Sequence, residues 1–239
     1  MNATIRKLLL PAILFISLNS FATWSIIIVD SLTGEIGIAG ASCTYSVYGI
    51  GGIVPGKGAI VAQAMSNMNA KRKGMEMLKA GSSPEEILYV IIDPRFDPVS
   101  NSQQYGIVSL GHIDKPVTFT GGSTHLSKGS FTAKGISVQG NTLANENVLK
   151  AVYDTVLSAR KQGLNIRAIL MKALLAGSEA GGDIRSGQQK ASSAFITVMK
   201  AGDDSKKPYL NLFVSGIPKG GNNAVTVLEG VYRKWERSH

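Results

Sequence analysis

The stretch SLNSFATWSIIIVD, Ser17 to Asp30, changes character abruptly, and that break decides which part of the chain has to fold. Upstream, Arg6 and Lys7 precede the apolar run LLLPAILFISL, Leu8 to Leu18, and small residues stand at Ser20 and Ala22. A basic start, an apolar middle and a small-residue junction make up the pattern of a secretory signal peptide. The run is too short for the roughly 20 residues of a membrane-spanning helix, and no later stretch approaches that length. The expectation is a leader over residues 1–22, removed by signal peptidase, and a single domain over residues 23–239 without a stable membrane span. The product would be periplasmic or secreted, with Thr23 as its first residue.

With 44% hydrophobic and 17% charged residues, the chain suits a globular domain that buries a large core. Cys43 is the single cysteine, so an internal disulfide framework is excluded and packing must stabilise the exported fold. The formal charge is +9, part of which leaves with Arg6 and Lys7. The longest basic cluster is the KRK of Lys71 to Lys73, with no aromatic platform interleaved. The charge therefore reads as a solvated basic surface, and nucleic acid is not expected as a partner.

Trp24 to Val29, the turn DSLTGE and Ile36 to Ala41 read as a β-hairpin with Gly34 in the turn. GGIVPGKGAIVAQA reads the same way, with Gly56-Lys57-Gly58 at its tip. SSPEEILYVII opens a helix, with Ser83 as cap, Pro84 at the first position and Glu86 completing a capping box. Further strands are expected at Gly106–Leu110, Val117–Thr120 and Gly135–Gln139. Val148, Leu149, Val152, Tyr153, Val156 and Leu157 form one helical stripe; Ile166, Ile169, Leu170, Ala173 and Leu174 form a second. SSAFITVMK and YLNLFVS restore strand patterning, and a last helix turns Val225, Leu228, Tyr232 and Trp235 inward.

Several motifs fail on context. Gly51 to Lys57 matches a phosphate-loop expression as far as its lysine, but Gly58 stands where the Mg²⁺-holding Ser or Thr belongs and strand follows where helix should. His112, His125 and His239 form no metal-ligand spacing, so no metal and no cofactor are expected. A Gly-x-Ser-x-Gly elbow is absent, and His125 reads as a loop residue. Cys43 reads as a small buried residue rather than a nucleophile.

Thr23 remains, and its position carries specific chemistry. An internal threonine needs a neighbouring base, whereas an N-terminal threonine brings its own in an α-amine that titrates at about 7.7–8.0. A tetrahedral oxyanion would need donors, and Ser42, Asn67, Asn141 and the GGD of Gly181 to Asp183 stand at expected strand ends.

The blocks TWSIIIVDSLTGEIGIAGAS, IVPGKGAIVAQAMSN, SVQGNTLAN and GGDIR, in order between Thr23 and Leu212, resemble the bacterial family known as domain of unknown function 1028, assigned to the N-terminal-nucleophile (Ntn) hydrolase-like superfamily. The resemblance implies an α+β fold of αββα type, a four-layer sandwich of two stacked antiparallel sheets between helices. It implies that the family's N-terminal Thr matches Thr23 and that members act on amides. Its "AS" lands on Ala41 and Ser42, its "QGN" on Gln139, Gly140 and Asn141, and its "GGD-x-R" on Gly181, Gly182, Asp183 and Arg185. Cys43 stands where many members carry Arg, which removes a cation suited to an acidic substrate group. The segment SGQQKASSAF after Arg185 also departs from the family's more compact form.

The resulting expectation is an exported Ntn-type hydrolase cleaving a C–N amide bond of a small or peptide-like substrate. Thr23 would attack, Ser42 and Asn141 would orient it, and Asn67, Gln139, Asp183 and Arg185 would bind substrate. The alternative is a catalytically inactive Ntn-fold protein that binds a ligand or partner of the cell envelope. A homodimer is compatible with either.

Overall fold

The computed structural model describes residues 23–125 and 127–238, so the leader expected over residues 1–22 lies outside the described residues. Strand β1, Thr23–Val29, and strand β2, Ile36–Ser42, form the expected hairpin, in register from Thr23 opposite Ser42 to Val29 opposite Ile36. The turn needs a left-handed residue, and Gly34 supplies it at φ +70°. Every residue of both strands is buried, as in strands covered on both faces.

Eight more strands follow: β3 Gly51–Val54, β4 Gly58–Ala64, β5 Gln103–Ser109, β6 Val117–Thr120, β7 Gly129–Ala133, β8 Ile136–Asn141, β9 Ser193–Met199 and β10 Leu210–Val214. They make two antiparallel sheets, one ordered β10-β9-β2-β1-β8-β7 and the other β3-β4-β5-β6. The helices are α1 Met68–Ala80, α2 Pro84–Ile91, α3 Asn147–Lys161, α4 Ile166–Glu179 and α5 Ala224–Ser238. The molecule is a mixed α+β structure.

Alternation along β1 sorts the core. Trp24, Ile26 and Ile28 pack with Val148, Val152, Leu170, Leu174 and Leu228 of α3, α4 and α5. Ile27 and Val29 point the other way and meet Ile53, Val61 and Val108 of the second sheet. On that sheet's outer face Ile60, Tyr105 and Ile107 meet Leu78, Ile87 and Ile91 of α1 and α2. Each such side chain contributes roughly 1.5–3 kcal/mol when fully buried, so apolar packing dominates all three interfaces.

The α2 capping box forms as the sequence predicts, with Ser83 and Glu86 satisfying each other's backbone N–H groups. The segment Gly51 to Lys57 is a strand and the tip of a hairpin, as its context requires. Three features depart from expectation. Helix α1 holds the KRK cluster, and Lys71 is buried at 8% exposure rather than solvated. Strand β7 pairs with β8 along a segment with no strong strand pattern. Leu157, expected on the inner stripe of α3, is an exposed residue.

Candidate functional site

At one end of the six-stranded sheet four polar residues stand side by side across the ladder. Ser193 pairs with Ser42, Ser42 with Thr23, and Thr23 with Asn141. Strand alternation aims all four into the space between the sheets, on the same side as Ile27, Ile38 and Phe195. All four are buried, and Ser193 Oγ has no hydrogen-bond partner among the described residues.

The layer between the sheets is apolar at the Val29 end and turns into an amide network toward Thr23. Ser25 Oγ donates to Gln63 Oε1 at 2.6 Å, and Gln139 Nε2 donates to Ser25 Oγ at 2.6 Å. Gln63 Nε2 donates to Gln104 Oε1 at 2.7 Å and to the Thr23 carbonyl at 3.3 Å. Asn141 Nδ2 donates to the same Gln104 Oε1 at 3.1 Å, while Gln104 Nε2 donates to Thr120 Oγ1 and the Gly140 carbonyl. An unsatisfied buried amide costs about 1–3 kcal/mol, which explains why the side chains interlock. Gly106 makes room for them, since a Cβ there would lie 2.3 Å from Gln139 Oε1.

The backbone is distorted beside this site. Ala64 ends β4 at φ +66° and Thr142 follows Asn141 at φ +53°, in the left-handed region that non-glycine residues occupy at a cost of about 1 kcal/mol or more. Thr142 Oγ1 donates to Asn141 Oδ1 at 3.2 Å and thereby fixes that amide. Ser42 Oγ accepts from the Thr44 N–H at 3.2 Å and from Thr44 Oγ1 at 3.1 Å, which holds the hydroxyl facing Thr23.

Thr23 forms part of the wall of a cleft of about 260 Å³. Its other walls are Gln63, Ala64, Ser66 and Met68 on one side and the loop Thr44 to Ile50 on the other. None of the lining residues is charged, and none is a histidine or cysteine. Among the described residues Tyr48 is the one titratable side chain in these walls.

The other expected site residues take supporting places. Gln139 is wholly buried in the network. Asn67 caps α1, accepting from the N–H groups of Asn69 and Ala70 and donating to Asp97 Oδ2 at 2.9 Å. Asp183 is fully buried, and its carboxylate accepts from Arg185 Nε at 3.2 Å, Arg185 Nη2 at 2.9 Å and the Cys43 N–H at 2.8 Å. It fastens the 3₁₀ turn Ile184–Gln189 to the end of β2, one residue past Ser42. Neither Asp183 nor Arg185 lines the Thr23 cleft. Burial, reinforced by Asp183, pushes the Cys43 thiol up to about 11, so the thiol stays protonated and unreactive. Among the described residues no group of three or more His, Cys, Asp and Glu comes together to hold a metal.

Gln63, Gln104 and the loop Thr44 to Ile50 are the participants that the sequence reading passed over. The available signal was a glutamine interrupting an otherwise apolar strand, AIVAQA, because a polar side chain on a buried face must find a partner.

No match was found among curated proteins. Among solved structures, the chain is similar to the crystal structure of protein SPO2555 from Silicibacter pomeroyi, described as family-model DUF1028. The two align with a TM-score of 0.74 at 26% identity, over 89% of this chain and 85% of that one. The model of a family of unknown function, DUF1028, matches residues 23–219, from the threonine that opens β1 to a point beyond β10. The chain belongs to the DUF1028 family.

Proposed function

We propose that this protein is an exported amide hydrolase in which cleavage after Ala22 frees the α-amine of Thr23. The observation that carries the reading is the register of Thr23 between Ser42 and Asn141, at the wall of a cleft whose described lining holds no His, Cys, Lys or carboxylate. Helices on the outer faces of two stacked antiparallel sheets support assignment to the αββα Ntn hydrolases. A leader over residues 1–22 supports export to a periplasm or to the medium.

In this mechanism Thr23 Oγ attacks the amide carbon and its proton passes to the Thr23 amine. N–H donors at the cleft wall stabilise the oxyanion, and the amine of the substrate leaves with the proton. The ester on Thr23 Oγ is then hydrolysed by a water that the same amine deprotonates, releasing a carboxylic acid. Ser42 and Asn141 orient the nucleophile, and Gln63 fixes the backbone of Thr23. Neither metal nor organic cofactor enters the scheme.

The test uses chain recovered from an exporting host and treated with a β-lactone. One acyl adduct on a peptide beginning at Thr23, absent in Thr23→Ala and retained in Thr23→Ser, is the expected result. A chain that begins at Thr23, folds normally and takes up no acyl group would show the reading to be wrong and leave a ligand-binding role.

A further inference from the structure

The two sheets are unequal, and the inequality leaves a second cavity. Strand β3 lies over β2, β4 over β1 and β2, and β6 over β7, so among the described residues the smaller sheet reaches β9 only at its β3 edge, where Ile53 clusters with Phe195 and Met199. The space beyond the β3 edge is a cavity of about 560 Å³, within the roughly 300–1,000 Å³ typical of small-ligand sites. Its walls are largely apolar, with Ile38, Ile53, Met75, Phe195 and Met199 among them. Gly51 and Gly52 of β3 also line it, packed closely against Ile38 and Met75 respectively.

Lys71 reaches this cavity from α1 and is more than nine-tenths buried. Its ammonium donates to the Gly49 carbonyl, which uses one of three N–H donors. Among the described residues it has no carboxylate partner, and no Asp or Glu lines the cavity, whereas Lys206 adds a second positive charge. A structural tether to one carbonyl needs only one donor and no charge. A buried cation without a counter-ion is costly, and burial accordingly depresses the ammonium's pKa.

We infer that this cavity is a ligand site for a small amphiphilic carboxylate, whose headgroup pairs with Lys71 and whose apolar body lies against Ile38, Met75, Phe195 and Met199. The carboxylate completes the coordination that Gly49 leaves open. The apolar walls exclude a bare inorganic anion as the best fit, because such an ion would leave them wet. The inference does not rest on catalysis at Thr23. The loop carrying Tyr48 and Gly49 borders both this cavity and the Thr23 cleft, so occupancy of one touches the wall of the other.

The experiment titrates the full chain, labelled with methyl-¹³C methionine, with sodium octanoate and separately with 1-octanol. Octanoate is expected to shift the Met75 and Met199 methyl signals saturably, at least about tenfold more tightly than octanol. Lys71→Leu is expected to remove that preference while leaving octanol binding unchanged. Equal affinity for octanoate and octanol in the wild-type chain would overturn the inference. So would shifts confined to other methionines, or no shift below about 10 mM octanoate, a concentration corresponding to a binding free energy under about 3 kcal/mol. The comparison of the two probes in the wild-type chain decides the matter even if Lys71→Leu does not fold.

Discussion

Gln63 holds Thr23 from the opposite sheet, its Nε2 donating to the Thr23 carbonyl at 3.3 Å and to Gln104 Oε1 at 2.7 Å. The first residue of β1 is thus set by two unlike constraints: the ladder to Ser42 and Asn141 within its own sheet, and an amide from the other.

Replacing Gln63 with Leu keeps the volume and removes those bonds, leaving Ser25 Oγ and Gln104 Oε1 each short of a buried partner. The expected destabilisation is about 2–4 kcal/mol, read as a lower urea midpoint with an unchanged m-value. A change below about 0.5 kcal/mol would mean that the network contributes little.

Gly106→Ala forces a methyl group to within 2.3 Å of Gln139 Oε1 and 2.7 Å of Ser137 Oγ, and neither side chain has room to retreat. Overpacking of this kind costs about 1–3 kcal/mol. Thermal unfolding of the variant checks it, and Gly106→Ala in a Gln139→Ala background should recover part of the loss.

Asp183→Ala strips Arg185 and the Cys43 N–H of their common acceptor. Removing one partner of a buried pair costs about 3–5 kcal/mol, and the exposed part of Arg185 brings the expectation to about 2–3 kcal/mol here. Hydrogen exchange should rise first at Cys43, whose amide loses its partner. Unchanged protection there would contradict the staple.

The Cys43 thiol sits at about 11, so only about one part in a thousand is thiolate at pH 8. Alkylation of the native chain should therefore be far slower than that of the unfolded chain, and should accelerate only as pH approaches 11. The linkage has a definite sign. A pKa raised above the unfolded value near 9.0 gives stability that is complete below pH 9 and is lost as pH rises toward 11. Cys43→Ala should lose less stability than wild type between those limits, measured by urea titration at each pH.

The hairpin β1–β2, the α2 capping box and the stripes of α3 and α4 were legible because period and capping chemistry are local. Helix α1 was not. Its MNAKRKGMEMLKA mixes charges with methionines, and its inward face becomes apparent only when Ala70, Gly74 and Leu78 meet Ile60 and its neighbours. Lys71 was misread for the same reason, since a basic triplet gives no sign that one member turns inward. Within the site, Thr23, Ser42 and Asn141 were legible as strand ends, and the ladder brings them into one row. Asp183 was expected to bind substrate, and its place as a staple was not legible, because its partner Cys43 lies 140 residues away along the chain.

The grading of the inter-sheet layer, from valine and isoleucine at one end to four interlocked amides at the other, fixes how the sheets sit on each other. A slip of one residue pair would set Gln63 against Ile27 of the facing sheet and strand every amide at once, so the stacking has a single offset. The Thr23 pocket is consequently inherited from the whole sandwich and cannot loosen by itself. Heat should abolish the pocket and the fold in one transition, with no temperature interval in which a folded chain has lost its cleft.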